Sequence, residues 1–130
     1  MIPRKWLFLG GVFLAYAIPN AESLNQMVFI SIPVDGKNIG LNIQLRWSDF
    51  KQLWFMSVFD GQETPLVTNI PLISSINLPS GNLLRQVSYK KIGSAFIVTL
   101  VDDPSTINPS WNNLGVDKEF ALVWGDTLDE

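Results

Sequence analysis

The sequence contains no cysteine and no histidine, and only 16% of its 130 residues are charged. The absence of cysteine excludes disulfide bridges and thiolate metal sites. The absence of histidine removes the most common general base and the most common metal ligand. The sequence also lacks a GxSxG nucleophile elbow and a phosphate-binding glycine loop. These absences argue against an enzyme and predict a protein that uses no cofactor or metal.

Charged residues of either sign are scattered along the chain. Nine basic and twelve acidic side chains give a net charge of -3. The lysines and arginines form no cluster of the kind that binds phosphate groups, so nucleic acid is not expected as a direct partner. Hydrophobic residues, in contrast, make up 47% of the chain. Together with the length, this fraction indicates one compact domain.

The first 24 residues differ in composition from the rest of the chain. Arg4 and Lys5 precede an apolar run, residues 6–18, which has AYA near its end. This arrangement is typical of a secretory signal peptide, and the run is short for a transmembrane helix, which needs about 20 apolar residues. The alternative is an apolar helix that is retained and packs against protein.

We predict the retained helix. A helix over residues 6–18 would be about 20 Å long, enough to run along one subunit of an assembly. Its two central glycines lower helix stability by about 1 kcal/mol each, which close packing against a neighbour offsets. The predicted organisation is therefore a helical extension over residues 1–24 and a β-rich domain over residues 25–130. The expected intersubunit contacts of the extension are Trp6, Leu7, Phe8, Gly10, Gly11 and Phe13.

Downstream of residue 25, the sequence has the pattern of β-strands. The segment LNIQLRW, residues 41–47, alternates apolar and polar side chains at every step, which predicts a half-buried strand. Seven strand-like stretches separated by turns predict a mainly β fold, a small antiparallel β-sandwich or barrel-like domain. The predicted strands are MVFISIPV, LNIQLRW, WFMSVFD, LVTNIPLISSINL, NLLRQVSYKKI, SAFIVTLVD and EFALVWG.

Turn-forming residues and one proline locate the strand ends. The segments DGKN at 35–38 and DGQETP at 60–65 predict turns in which an Asp-Gly pair adopts positive φ. Pro71 falls within the fourth predicted strand. Because proline cannot donate a ladder hydrogen bond, this strand is expected at a sheet edge or beside a bulge.

The segment NPSWNNLG, residues 108–115, places a tryptophan among loop-forming residues. Trp111 either folds back as a lid over the end of the sandwich or projects as an anchor into a partner subunit. The composition favours the lid. In that case Trp111→Ala would lower the free energy of unfolding by roughly 2 to 4 kcal/mol through lost burial.

The acidic residues before this loop are not expected to form a catalytic or calcium site. Asp102 and Asp103 are adjacent at the end of a predicted strand, where neighbouring side chains face opposite ways. The segment DDPSTINPS offers several oxygen atoms but lacks the spaced acidic ligands and bidentate glutamate of a calcium loop. We therefore expect a strand-to-loop turn at residues 102–104.

The order of several motifs resembles the cyanophage-type baseplate plug family of contractile-tailed phages. The motifs are ISIPV at 30–34, LRW at 45–47, FDGQETPLVTNIPL at 59–72, DDP at 102–104, WNNLG at 111–115 and FALVW at 120–124. The similarity runs from about Met27 to Trp124. The most specific parts are PLVTNIPL and WNNLG, because short strands alone are generic. The apolar extension before residue 25 departs from the family pattern.

The resemblance implies a structural virion protein of the myophage tail baseplate, without catalytic activity. It implies hub, spike and tail-tube proteins as partners and a homo-oligomer with three- or six-fold symmetry about the tail axis, with no membrane contact. It also implies a recurring turn in which Gly115 has positive φ and asparagine side chains bind nearby backbone. The turn residues are Asp102, Asp103, Pro104, Asn112, Asn113 and Gly115.

A second function class is compatible with the residues. The protein would then be an exported or membrane-tethered β-sandwich binding module, with Trp111 in its ligand loop. Genes for hub, spike or wedge proteins beside the coding gene would favour the baseplate protein. A mature chain that begins near Ile18 would favour export.

Overall fold

The computed structural model describes residues 4–7, 14–17, 24–74, 81–115 and 118–128, the first two ranges as backbone only. The strands in these ranges are β1 (Arg4–Leu7), β2 (Leu14–Ala17), β3 (Asn25–Val34), β4 (Lys37–Ser48), β5 (Leu53–Asp60), β6 (Pro65–Pro71), β7 (Ser94–Thr99) and β8 (Phe120–Gly125). They form two four-stranded sheets with the orders β1-β2-β8-β7 and β3-β4-β5-β6. All paired strands are antiparallel, so the mainly β prediction is confirmed.

Both sheets contribute side chains to one hydrophobic core. In β4, Leu41, Ile43 and Leu45 are buried and alternate with more exposed residues, as the sequence pattern predicted. The second sheet faces them with buried side chains of β7 and β8. The two sheets therefore pack face to face as a sandwich. The buried core residues are Ile30, Ile32, Val34, Leu41, Ile43, Leu45, Trp54, Met56, Val58, Leu72, Leu84, Ile92, Ala95, Ile97, Leu114, Phe120, Leu122 and Trp124.

The N-terminal extension contributes two strands to the β1-β2-β8-β7 sheet. β1 pairs with β2 in a register that sets Arg4 opposite Ala17 and Leu7 opposite Leu14. Residues 15–17 of β2 pair with β8. Residues 6–7 and 14–17, which the sequence analysis placed in a helix, are described as strands: residues 6–7 pair with β2, and residues 15–17 pair with β8. Their backbone groups thus have hydrogen-bond partners in a sheet. The other residues of the predicted helix lie outside the described ones, and the domain boundary at residue 24 stays a prediction.

The first predicted turn is confirmed and the second differs in detail. Asp35 and Gly36 have φ of 54° and 83°, and they join β3 to β4 in a two-residue hairpin. In the second turn, Glu63 has positive φ, 64°, whereas Gly61 does not. The Asp60 carboxylate accepts hydrogen bonds from the backbone N–H groups two and four residues later. Because of these local hydrogen bonds, the residue with left-handed φ is Glu63, which lies further along the chain than the predicted Asp60-Gly61 pair.

The expectation from Pro71 is confirmed. β6 is an edge strand, and its pairing with β5 shifts register between Met56 and Val58 and again between Val58 and Phe59. Asn69, within β6, has a left-handed φ of 58°. β6 is therefore an irregular edge with a proline at each end.

The predicted strand NLLRQVSYKKI is wrong. Residues Arg85–Lys90 form a 3-10 helix that ends at Lys91, which has a left-handed φ of 55°. The Asn82 side chain fixes the backbone just before this helix. Its Oδ1 accepts hydrogen bonds from the N–H groups of Leu84 and Ala95. A side-chain oxygen that bonds the backbone two residues on favours a turn over an extended chain. Of the helical segments in the described ranges, none is long and apolar enough to cross a membrane.

Candidate functional site at the hairpin end of the sandwich

The β4–β5 hairpin and the loop between β7 and β8 meet at one end of the sandwich, which we call the hairpin end. The hairpin turn comprises residues 49–52, and the described part of the loop comprises residues 100–115 and 118–119. The indole N–H of Trp54, at the start of β5, donates a hydrogen bond to the backbone oxygen of Ser110 at 2.8 Å. The backbone N–H of Ser74, just after β6, donates to Asn108 Oδ1 at 2.9 Å. These two bonds fix the loop to the strands beside it.

Exposed large hydrophobic side chains are concentrated at the hairpin end. Phe50, on the hairpin turn, is 92% exposed, and Ile107 and Trp111, on the loop, are 76% and 60% exposed. Leu24 lies at the same end, beside β4, because its backbone oxygen accepts a hydrogen bond from the N–H of Trp47. A group of exposed apolar side chains at one place is typical of an interaction surface, whereas single exposed ones are not. The exposed large hydrophobics of this end are Leu24, Phe50, Val101, Ile107 and Trp111.

Trp111 does not form a lid. Its 60% exposure contradicts the expected packing onto its own domain. The buried tryptophan beneath the loop is Trp54, which is 1% exposed, and the loop residues that turn inward include Asn113 and Leu114. Burial of these neighbours leaves Trp111 on the outer side of the turn.

Asn113 holds the loop from within. Its Oδ1 accepts a hydrogen bond from the backbone N–H of Ser110 at 2.6 Å. Its Nδ2 donates to Thr106 Oγ1 at 3.0 Å and to Glu119 Oε2 at 3.1 Å. The predicted bonding of an asparagine side chain to nearby backbone is thus observed here. Because the buried amide is paired on both its oxygen and its nitrogen, it fixes the turn that carries Trp111.

Glu119 is a second support of the loop, and the sequence analysis missed it. Its Oε1 accepts the backbone N–H of Ser105 at 2.6 Å, and its Oε2 accepts the Ser105 hydroxyl at 2.6 Å. Hydrogen bonds from the Ser105 hydroxyl, the Ser105 backbone and the Asn113 amide hold the pKa of Glu119 below its usual value. A single glutamate just before β8 carries no motif. Only the fold brings it to residues more than a dozen positions earlier.

The predicted turn residues occupy different positions in this loop. Asp102, Asp103 and Asn112 are exposed, and Pro104 is half-buried. Gly115 is buried and has φ of 157°, a positive value that is close to extended backbone. Its N–H donates to the backbone oxygen of Phe120, so it pairs the end of the loop with the start of β8.

The β4–β5 hairpin is braced in a similar way. Trp47 and Trp54 contact each other edge to face, with ring centroids 5.7 Å apart. The Trp47 indole N–H donates to Asp49 Oδ1 at 2.8 Å. Ser48 accepts hydrogen bonds from the N–H groups of Lys51 and Gln52, on its hydroxyl and its backbone oxygen. Phe50 therefore projects from a turn that is fixed on both sides.

The proposed contacts of the N-terminal extension are separate from this site. Trp6 and Leu7 lie in β1, at an edge of the β1-β2-β8-β7 sheet, whereas the hairpin belongs to the other sheet. Phe8, Gly10, Gly11 and Phe13 lie outside the described residues. Among the described residues, no group of three or more acidic side chains is placed to hold a metal ion.

A comparison with family models matches residues 15–127 to the cyanophage baseplate Pam3 plug gp18 family. The chain belongs to this baseplate plug family. Membership places the protein in the virion, in the tail baseplate, as the motif resemblance implied. No curated protein and no solved structure matches the chain.

The extent of the match bears on the N-terminal extension of this baseplate plug. The matched region begins at Ala15, the first residue of β2 that pairs with β8. The strand that carries AYA is therefore part of the region shared with the family. It also completes the sheet beside β8, since β8 has β7 on its other side.

Proposed function

We propose that this baseplate plug docks through its hairpin end onto a neighbouring hub, spike or tail-tube protein at the tail axis, and that it has no catalytic role. The observation that carries this proposal is the exposure of Phe50 and Trp111 on two turns that internal hydrogen bonds hold in place. Aromatic side chains presented in this way are typical anchors of protein interfaces.

The energetics favour docking through these side chains. Burial of a large apolar side chain in an interface contributes about 2 kcal/mol relative to leaving it in water. Asn113 and Glu119 already order the loop before any partner binds, so little conformational entropy is lost on association. The plug would thus be preorganised for binding, with its apolar surface facing the partner.

The same proposal includes a cyclic homo-oligomer of three or six copies. A closed ring about the tail axis gives each copy the same contact with its neighbours, which suits an axial component. Each hairpin end would then meet an equivalent surface of the hub, spike or tube ring.

The test is incorporation of variant chains into phage particles. In Phe50→Ala/Trp111→Ala, we expect a parental melting temperature and at least an approximately tenfold loss of incorporation, since each tenfold in binding corresponds to about 1.4 kcal/mol. Tyr89→Ala is the matched control, because Tyr89 is 73% exposed on the 3-10 helix and not at the hairpin end. Parental incorporation of the double variant would contradict the proposal.

A further inference from the structure

β3 is an edge strand without the usual protection of an edge. It pairs with β4 along its whole length and with no other strand in the described chain. Its ten residues, NQMVFISIPV, include no charged side chain. Edge strands of soluble proteins are normally protected by charged side chains, prolines or bulges. Here the single proline, Pro33, lies next to the β3–β4 turn and does not protect residues 27–31.

The outward hydrogen-bonding groups of β3 belong to its odd-numbered residues. In a two-residue hairpin closed by Val34 and Lys37, every second residue of β3 bonds to β4. The bond from the Trp47 N–H to the Leu24 oxygen confirms that the even-numbered residues face β4. The N–H and C=O groups of Met27, Phe29 and Ser31 are therefore directed away from the sheet.

This edge is accessible. Met27 and Phe29 are 53% and 49% exposed, and Ser31 is half-buried. The Phe29 ring lies across Gly40 of β4, where an added Cβ would come within 3.0 Å of the ring. One face of the Phe29 ring thus covers the backbone of β4 at Gly40, and the other face is an apolar surface exposed to solvent.

Two other edge strands are protected, which sets β3 apart. β6 has a proline at each end and an irregular register. In β7, the N–H of Ala95 donates to Asn82 Oδ1, and its backbone oxygen accepts the N–H of Leu83. Ile97 of the same strand is fully buried. An incoming strand would find neither edge open, so β3 is the suitable acceptor among these three.

We propose that the β3 edge accepts an extended, uncharged segment of another baseplate protein, which adds a fifth strand to the β3-β4-β5-β6 sheet. This inference rests on the proposed function, because it assumes incorporation into the baseplate, but it uses a different surface. Backbone groups of Met27, Phe29 and Ser31 provide the hydrogen bonds, and apolar side chains of the segment pack beside Met27 and Phe29. The lack of charge on β3 matches an uncharged segment, since a charged one would lose solvation beside Phe29 without gaining a partner.

A second copy of this chain fits the edge less well. Pairing of β3 with β6 of the next copy, which would make a ring, is opposed by the prolines and bulges of β6. Pairing of β3 with β3 of another copy needs a two-fold axis between them. Subunits around a tail that differs at its two ends are related by rotation about the tail axis, and such an arrangement has no two-fold axis across the tail.

Amide hydrogen exchange tests the proposal on the full chain, free and in assembled particles. On assembly, we expect the exchange of the Phe29 and Ser31 amides to slow by about tenfold or more, while the Val28 and Ile30 amides, already bonded to β4, change little. This alternation distinguishes strand addition from docking by side chains alone. Unchanged exchange at Phe29 and Ser31 in particles that contain the chain would overturn the proposal and leave the proposed function standing.

Two variants complete the test. Ser31→Pro removes an outward N–H and leaves the bonds to β4 intact, so we expect a folded chain whose incorporation falls by about tenfold or more. Ser31→Ala, which keeps the N–H, should incorporate at the parental level. Phe29→Cys supplies the one thiol of the chain; when a maleimide–benzophenone reagent is attached to it, we expect irradiation to cross-link the chain to another baseplate protein, and we expect an added oxidant to form no disulfide between copies. Disulfide-linked dimers of the Phe29→Cys chain in particles, or parental incorporation of Ser31→Pro, would overturn the proposal of strand addition. If the parental chain itself were absent from particles, the proposed function would be overturned as well.

Discussion

The two ends of the sandwich use their side chains in opposite ways. At the end opposite the hairpin, which we call the clasp end, polar groups of the β3–β4 turn and of the C-terminal segment bind one another. The Asp35 carboxylate accepts hydrogen bonds from the Thr127 backbone N–H at 2.9 Å and from the Thr127 hydroxyl at 2.7 Å. The Asp35 N–H in turn donates to Asp126 Oδ1 at 2.9 Å. These bonds join the two sheets to each other.

At the hairpin end, internal bonds hold the turns but leave apolar side chains in solvent. Asn113 and Glu119 order the loop, while Trp111 and Phe50 remain exposed. The clasp end thus pairs polar groups of its two segments with each other. If the hairpin end docks as proposed, substitutions at the clasp end should mainly affect unfolding and substitutions of the exposed side chains at the hairpin end should mainly affect assembly.

The largest effect on stability is expected from Gly93→Ala at the clasp end. Gly93 has φ of 106°, and its N–H donates to Thr127 Oγ1. A Cβ here would lie 2.6 Å from the Gly125 oxygen and 2.6 Å from Trp124 Nε1. Strained φ and steric overlap together should lower the free energy of unfolding by about 3 kcal/mol, measured by urea denaturation.

Gly61→Ala is the matched control for that substitution. An added Cβ at Gly61 would have no atom within 4 Å, and its φ is not in the left-handed region. We expect a change of less than about 0.5 kcal/mol in the free energy of unfolding. Equal losses for the two variants would show that the clasp end is not the rigid region the contacts indicate.

Periodic features of the sequence predicted most of the sandwich. The alternation in LNIQLRW and the Asp35-Gly36 turn depend on neighbours in the chain, and both are observed. The segment at Arg85–Lys90 has strand-like composition, yet the side chain of Asn82 bends the preceding backbone into a turn. The hydrogen bond from the backbone to the Asn82 side chain competes with the backbone hydrogen bonds of a β-strand. This competition depends on one residue, so a composition pattern over many residues does not reveal it.

The site was predicted less well, because its organisation depends on contacts distant in sequence. The sequence singled out Trp111 but could not show that Trp54, from β5, fills the space beneath the loop. Glu119 was missed for the same reason, since its bonds to Ser105 cross 14 residues. Asn113 was identified as a turn residue, and its local bond to the Ser110 N–H is the part that composition could predict.

A smaller effect is expected from Glu119→Gln at the hairpin end, and it should depend on pH. Hydrogen bonds in the folded loop hold the pKa of Glu119 below 4.5, its ordinary value. The carboxylate therefore stabilises the folded loop at neutral pH, and this contribution is lost as pH falls through the lowered pKa. Glu119→Gln should melt below the parent at pH 7, and the difference should shrink as the pH is lowered from about 4.5. A difference in melting temperature that is constant from pH 7 to pH 3 would show that the carboxylate charge does not hold the loop.

The smallest effect on stability is expected from Trp111→Ala. Since Trp111 is 60% exposed and the underlying contacts belong to Trp54, Asn113 and Leu114, truncation removes little burial from the folded chain. The free energy of unfolding should change by less than about 0.5 kcal/mol, as for most surface substitutions, when measured by urea denaturation beside the parent. A loss of about 2 kcal/mol or more would mean that the side chain packs onto its own domain after all, as a lid does. It would also remove the contrast between the two ends, because the hairpin end would then owe its stability to the same residue that is exposed for binding.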